Sequence, residues 1–171
     1  SYISFWTALN YYGYSDQNPR TIFVATTRYR RSTKSIKYVT LAKRRFFGYT
    51  SIGNIILAEK EKAIIDSLLF PKYAGGIREI ERSLRAALEE ARRSKKDTSL
   101  FNIKKLVSQA LAVKSKAVIR RLGFLLEAYN YKNGRVLAEL QMQKGKGYEL
   151  LDPSLSSKGK LNKRWLLNIN A

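Results

Sequence analysis

The apolar residues of this chain change their period twice. Through residues 21–57 they fall in short β-branched and aromatic runs. From residue 58 to residue 129 they recur at helical spacing, and beyond residue 148 they alternate again. Strand-type and helix-type segments are therefore segregated along the chain, which fits an α+β fold better than a doubly wound α/β sheet. The expectation is a small mixed or antiparallel sheet from the N-terminal strands plus the C-terminal strands, packed with about five or six helices. Isolated short strands are unstable alone, so the terminal strands are expected to return to the N-terminal sheet.

The elements follow from local signals. Ser4 reads as an N-cap and Gly13 as the residue past a helix end, with Phe5, Trp6, Leu9 and Tyr12 at helical spacing between them. Residues 21–27 read as a strand bounded by Pro19, residues 36–41 as its partner, and residues 46–57 as short strands with a turn. Residues 58–69 read as a helix stopped by Pro71. Residues 77–93 give the clearest helix, with Ile77, Ile80, Leu84, Leu88 and Ala91 in one stripe and the pairs Glu81/Arg85 and Glu89/Arg93 outside it. Further helices are expected over 103–113 and 116–129. Asn133–Gly134 and residues 144–147 read as turns. Residues 148–151 form a short strand, and Trp165, Leu167 and Ile169 alternate as a last one. A chain of 171 residues can hold one domain over 1–171, with room for a β-rich lobe (1–57 plus 145–171) and a helical lobe (58–130).

Charge then narrows the function. The net charge is +20. Residues 1–53 hold nine basic residues against one acid, Asp16; residues 54–98 hold ten against eight; residues 99–171 hold fourteen against four. The excess lies at the two ends, and such polarity suits a polyanionic partner, nucleic acid first. There is no histidine and no cysteine. That excludes disulfides, thiolate and imidazole catalysis and nearly every zinc arrangement, and it suits a cytoplasmic protein. No apolar run approaches the ~18–20 residues of a membrane span, since residues 63–70 are interrupted by Asp66. No Walker or Rossmann glycine pattern is present, so no cofactor is expected. The chain opens on Ser1 without a signal-peptide pattern, as expected of a fragment or a processed chain.

The strongest local signal is the run Arg28, Tyr29, Arg30, Arg31 and Lys34 at the end of a strand. Guanidinium groups neutralise phosphates, and a tyrosine can stack or hydrogen-bond. The alternative is a solvated hairpin loop. Lys43, Arg44 and Arg45 form a second cluster, whose following Phe46 and Phe47 read as core. Arg120 and Arg121, with Lys114 and Lys116 a turn away, read as a phosphate-facing stripe or an ordinary exposed helix face. Lys158, Lys160, Lys163 and Arg164 make a C-terminal basic strip beside Trp165, which reads as core. Ala58-Glu59-Lys60-Glu61-Lys62 mixes carboxylates with lysines, as Mg²⁺ nuclease sites do, but an acidic helix start explains it better. No catalytic or metal-binding residue is expected.

Several segments also resemble a known family. Tyr2-Ile3-Ser4, Ala8-Leu9-Asn10-Tyr11-Tyr12-Gly13, Val24-Ala25-Thr26-Thr27-Arg28, Ala58-Glu59-Lys60-Glu61-Lys62-Ala63-Ile64-Ile65-Asp66 and Arg120-Arg121-Leu122-Gly123-Phe124-Leu125-Leu126-Glu127 resemble, in that order, the C-terminal domain of AbiEi antitoxins. The Leu151-Asp152-Pro153 stretch, with Trp165, is similar more weakly. The resemblance implies a non-enzymatic antitoxin and transcriptional autoregulator of a type IV toxin–antitoxin system for phage defence. Its partners would be DNA and a nucleotidyltransferase-like toxin. Members carry a winged-helix DNA-binding domain ahead of the matched segment. A domain of the kind matched here is therefore expected to add phosphate contacts that position a fused reader.

Overall fold

A computed structural model describes residues 1–171. The chain runs β1 (Tyr2–Ile3), α1 (Phe5–Tyr11), β2 (Ile22–Thr26), β3 (Ile36–Thr40), a 3₁₀ turn at Lys43–Arg45, β4 (Tyr49–Ile52) and β5 (Ile55–Ala58). Then come α2 (Lys60–Leu69), a 3₁₀ turn at Pro71–Tyr73, α3 (Ile77–Arg93), α4 (Ile103–Ala112), α5 (Lys116–Ala128) and α6 (Gly134–Met142). The strands β6 (Glu149–Leu150), β7 (Lys160–Asn162) and β8 (Leu167–Ile169) close the chain. The fold is α+β, as the segregated periodicities require.

The N-terminal strands make one five-stranded mixed sheet, ordered β3-β2-β1-β5-β4. β1 runs antiparallel to β2 and parallel to β5, and β4–β5 is a hairpin. The terminal strands do not join this sheet. They form their own, ordered β6-β8-β7, and the helices hold it. The Trp165 ring packs against α5 where Gly123 leaves no side chain; a Cβ there would sit 2.1 Å from the ring. Asp152 accepts a hydrogen bond from the Ile77 N–H at 2.9 Å, serving the α3 start that Gly76 cannot cap. These two anchors give the short strands the tertiary support that an added place in the first sheet would otherwise have supplied.

α2 is the hub, touching α1, α3, α4, α5 and β5. Nine of its ten residues are buried, so it lacks a solvent face on which to place its charges. Lys62 and Asp66 are ion-paired in the core. Tyr2 Oη donates to Asp66 (2.9 Å), Ser4 Oγ donates to it (2.8 Å), and Lys62 Nζ donates to Tyr2 Oη (2.8 Å). Phe47 covers the ammonium, its ring centroid 4.9 Å away. Phe46 and Phe47 thus belong to the core boundary, as expected.

The later helices begin on side-chain caps. Asn102, Ser115 and Asn133 accept from the backbone N–H groups of Lys105, Val118 and Val136. The Asn133–Gly134 signal therefore starts α6, where the sequence suggested only a turn. One cluster of 35 buried hydrophobic residues extends from Tyr2 to Leu167 through both sheets and the helices.

Candidate nucleic-acid interface

β2 and β3 are parallel, paired from Ile22–Ile36 to Thr26–Thr40. The chain leaves one end of β2 and must return to the other end to start β3. Residues 27–35 do this alone. Parallel strands usually need a crossover of about a dozen residues or more, most often a helix. Nine residues reach about 30 Å when extended, and the strand beside them is about 16 Å long, so the connection has slack only for its two turns. It is a strap, not the hairpin loop that adjacent strands suggested.

The strap is pinned at both ends. Thr26 Oγ1 bonds to both N–H and C=O of Arg28 (3.3 and 3.1 Å). Ser32 Oγ accepts from the Tyr38 N–H on the free edge of β3 (3.1 Å). Thr33 bonds back to Ile36, and the Ser35 carbonyl accepts from Ile22 N–H (2.8 Å). These bonds hold the two ends of the strap, at Arg28 and at Ser32–Ser35, and leave Tyr29–Arg31 to span between them. Arg28, Arg30, Arg31 and Lys34 are exposed, and Tyr29 is 85% exposed.

Lys43 and Arg44 are also exposed, on the 3₁₀ turn that follows β3. Leu41 N–H still donates to Thr26 O (2.8 Å), so this turn and the strap's first residues leave the β2–β3 pair at the same end. Residues 20–45 carry nine basic side chains and no acid. None of the nine makes an ion pair.

Three expected phosphate contacts fall elsewhere. Arg45 is half-buried; its Nε donates to Val113 O (3.0 Å), just past the end of α4. Burial first, then Arg44, pulls its pKa below the ordinary arginine value. Arg120 and Arg121 are buried rather than lying on a polar helix face. Arg121 Nη1 donates to Leu68 O (2.7 Å) in the last turn of α2, and its Nε and Nη2 reach Leu150 O. Arg120 donates to Lys144 O and Lys146 O (both 2.8 Å) beyond α6. Burial lowers both pKa values, although a guanidinium stays charged. Helix C-termini leave carbonyls without intrahelical donors and carry partial negative charge, and all three arginines serve them or the turns that follow. A signal for Arg121 existed: it lies three residues after Val118 and four before Leu125, on the apolar face.

Folding adds a cation that the sequence kept apart, Lys72, and turns a near one, Lys37, to the same cleft. Lys37 on β3 and Lys72 on the Pro71–Tyr73 turn face the strap across a cleft of about 560 Å³, lined also by Tyr29, Arg30, Arg31 and Tyr38. No acid lines it. Arg30 lies 5.7 Å from the Tyr38 ring centroid, and Lys37 and Lys72 lie 6.0 and 4.8 Å from that of Tyr73.

Glu59 and Glu61 join α2 to α4. Glu61 accepts from Asn102 N–H (2.7 Å), Glu59 from Gln109 Nε2 (2.9 Å), and Lys105 pairs with both at 3.1 Å and 3.7 Å. Arg164 of the C-terminal strip is paired with Glu127, which also accepts from Trp165 Nε1 (3.2 Å). No helix is long and apolar enough to cross a membrane. Compared with known protein families, curated proteins and solved structures, the chain matches none.

Proposed function

We propose that this chain is an AbiEi-like antitoxin and transcriptional autoregulator domain of a type IV toxin–antitoxin system. It is non-enzymatic and binds DNA phosphates through the strap and the Lys43–Arg45 turn. The observation that carries the binding is the set of cations without ion-pair partners over residues 20–45, displayed on a strap tied down at Arg28 and Ser32. Cations of this kind release condensed counterions when they meet phosphate, which supplies sequence-independent affinity.

The placement of the resembling segments supports the family part of the reading. Tyr2 and Ser4 from the first meet Lys62 and Asp66 from the α2 segment in one buried network. Arg121 from the α5 segment reaches the end of the same helix. Residues quoted for the resemblance thus meet in one part of the core.

A second reading is favoured by Tyr29. A highly exposed tyrosine among arginines also has the composition of a protein-binding hot spot, which suits an acidic toxin face. Fluorescence anisotropy with the upstream DNA of the chain's own gene and with a scrambled duplex tests the first reading. Binding to both, falling steeply as salt rises to about 150 mM, is expected of a phosphate-contacting domain. No binding to either duplex at low salt, with a toxin captured in high salt, decides for the protein partner.

A further inference from the structure

The cleft under the strap has a second chemistry that duplex binding does not use. Four of its lining side chains are aromatic (Tyr29, Tyr38, Phe70, Tyr73) and four are cationic (Arg30, Arg31, Lys37, Lys72). The two sets are interleaved, with Arg30 over Tyr38 and both lysines beside Tyr73. A duplex offers phosphates to the cations but keeps its base faces stacked on each other. Only an unpaired base can lay a face against a ring at a cleft rim. Cations tracking a backbone beside aromatic platforms are the arrangement by which proteins hold single strands without reading sequence. At about 560 Å³ the cleft also falls in the ordinary size range of small-ligand sites.

We propose that this cleft takes single-stranded nucleic acid, with a base stacked on Tyr29 and the adjoining phosphates held by Arg31, Lys37 and Lys72. The inference rests on the reading of the strap as a nucleic-acid face and names the form of ligand that it prefers. Tyr29 is suited to the stack because it is the most exposed of the four rings and sits between basic neighbours on a strap tied down on either side, at Arg28 and Ser32. Lys37 and Lys72 come from β3 and from the 3₁₀ turn after α2, so the cleft draws cations from elements other than the strap.

The test compares a labelled oligothymidylate of about 12 nucleotides with a duplex of the same length, by anisotropy at fixed salt. The single strand is expected to bind more tightly. Tyr29→Ala is expected to weaken the single strand about tenfold and the duplex less than about twofold, with Tyr29→Trp restoring the difference. The Lys37→Ala/Lys72→Ala variant should flatten the single-strand salt slope by about 1.4. Equal or tighter duplex binding, or a Tyr29→Ala effect that is absent or equal on both ligands, overturns the cleft assignment alone. Failure of the wild-type chain to bind either ligand at low salt overturns the nucleic-acid reading itself. Tyr29 is exposed, so matched circular dichroism spectra will confirm that the variant is folded.

Discussion

At the scale of single residues, the chain treats charge in two ways. Cations on the strap are left free, while those in the core are fully partnered. Lys62 and Asp66 are both completely buried, and Tyr2 and Ser4 complete the carboxylate's hydrogen bonds. A buried pair of this sort adds little net stability, but removing one partner leaves a bare charge in a medium that cannot solvate it. Asp66→Ala should therefore cost about 3–5 kcal/mol, a large part of a typical domain's stability. Replacing the pair together, Lys62→Met with Asp66→Leu, should cost clearly less. Urea unfolding of both variants measures this. Equal losses would mean that the pair itself stabilises the fold. Gly48 belongs to the same cluster, since a Cβ there would lie 3.0 Å from Lys62 Cγ and its φ is +71°.

At the scale of elements, two contacts tie the terminal sheet to the helices. Gly123→Ala would drive a methyl into the Trp165 ring, which is fully buried and cannot withdraw. The expected loss is about 2–3 kcal/mol, with the near-UV circular dichroism of the indole altered. An unchanged thermal midpoint would mean that the ring does not pack against α5. Helix α3 was readable to its last residue because its stripe, its acidic start and its basic end all agree. α6 was not, because Leu140 is its only buried residue and gives no periodic signal. The parallel pairing of β2 with β3 was also hidden. Two adjacent strands joined by nine residues look like a hairpin, and only the extended strap makes the other direction possible. Arginine roles divided the same way. Exposure of Arg28, Arg30 and Arg31 followed from the lack of apolar neighbours. Burial of Arg120 was invisible, because its partners are carbonyls 24 and 26 residues away. Lys72 could not be joined to the strap from sequence, since β3, β4, β5 and α2 lie between their positions in the chain.

At the scale of the whole molecule, pH should weaken the fold from both sides. Burial alone would raise the Glu90 carboxyl, but donors from Tyr14, Lys60 and Phe101 N–H outweigh it and hold the pKa below its ordinary value. Asp152 is likewise held down against burial by Ser154 and the Ile77 N–H. A depressed carboxylate contributes stability above its unfolded pKa of about 4, and that contribution is lost as pH falls through the folded value. Asp66, raised by burial, has the opposite sign and offsets part of this loss. Asp152→Asn should therefore lower Tm at pH 7 and narrow the drop in Tm between neutral and acid pH. A parallel shift at every pH would contradict the assignment. On the alkaline side, burial and then neighbouring negative groups push Tyr12 up to about 12. Its neutral form stabilises the fold below the unfolded value of about 10, and that stability is lost as pH rises through about 12.

The proposed phosphate-binding face stands or falls with the free cations of the strap. The most direct test is the slope of log Kd against log salt for a short duplex, for the wild-type chain and for Arg28→Ala/Arg30→Ala/Arg31→Ala. Each phosphate contact contributes about 0.9 to that slope, so losing three should weaken binding and flatten the slope by about 2–3. Unchanged affinity and slope in a folded variant would contradict the account and move the nucleic-acid face off the strap.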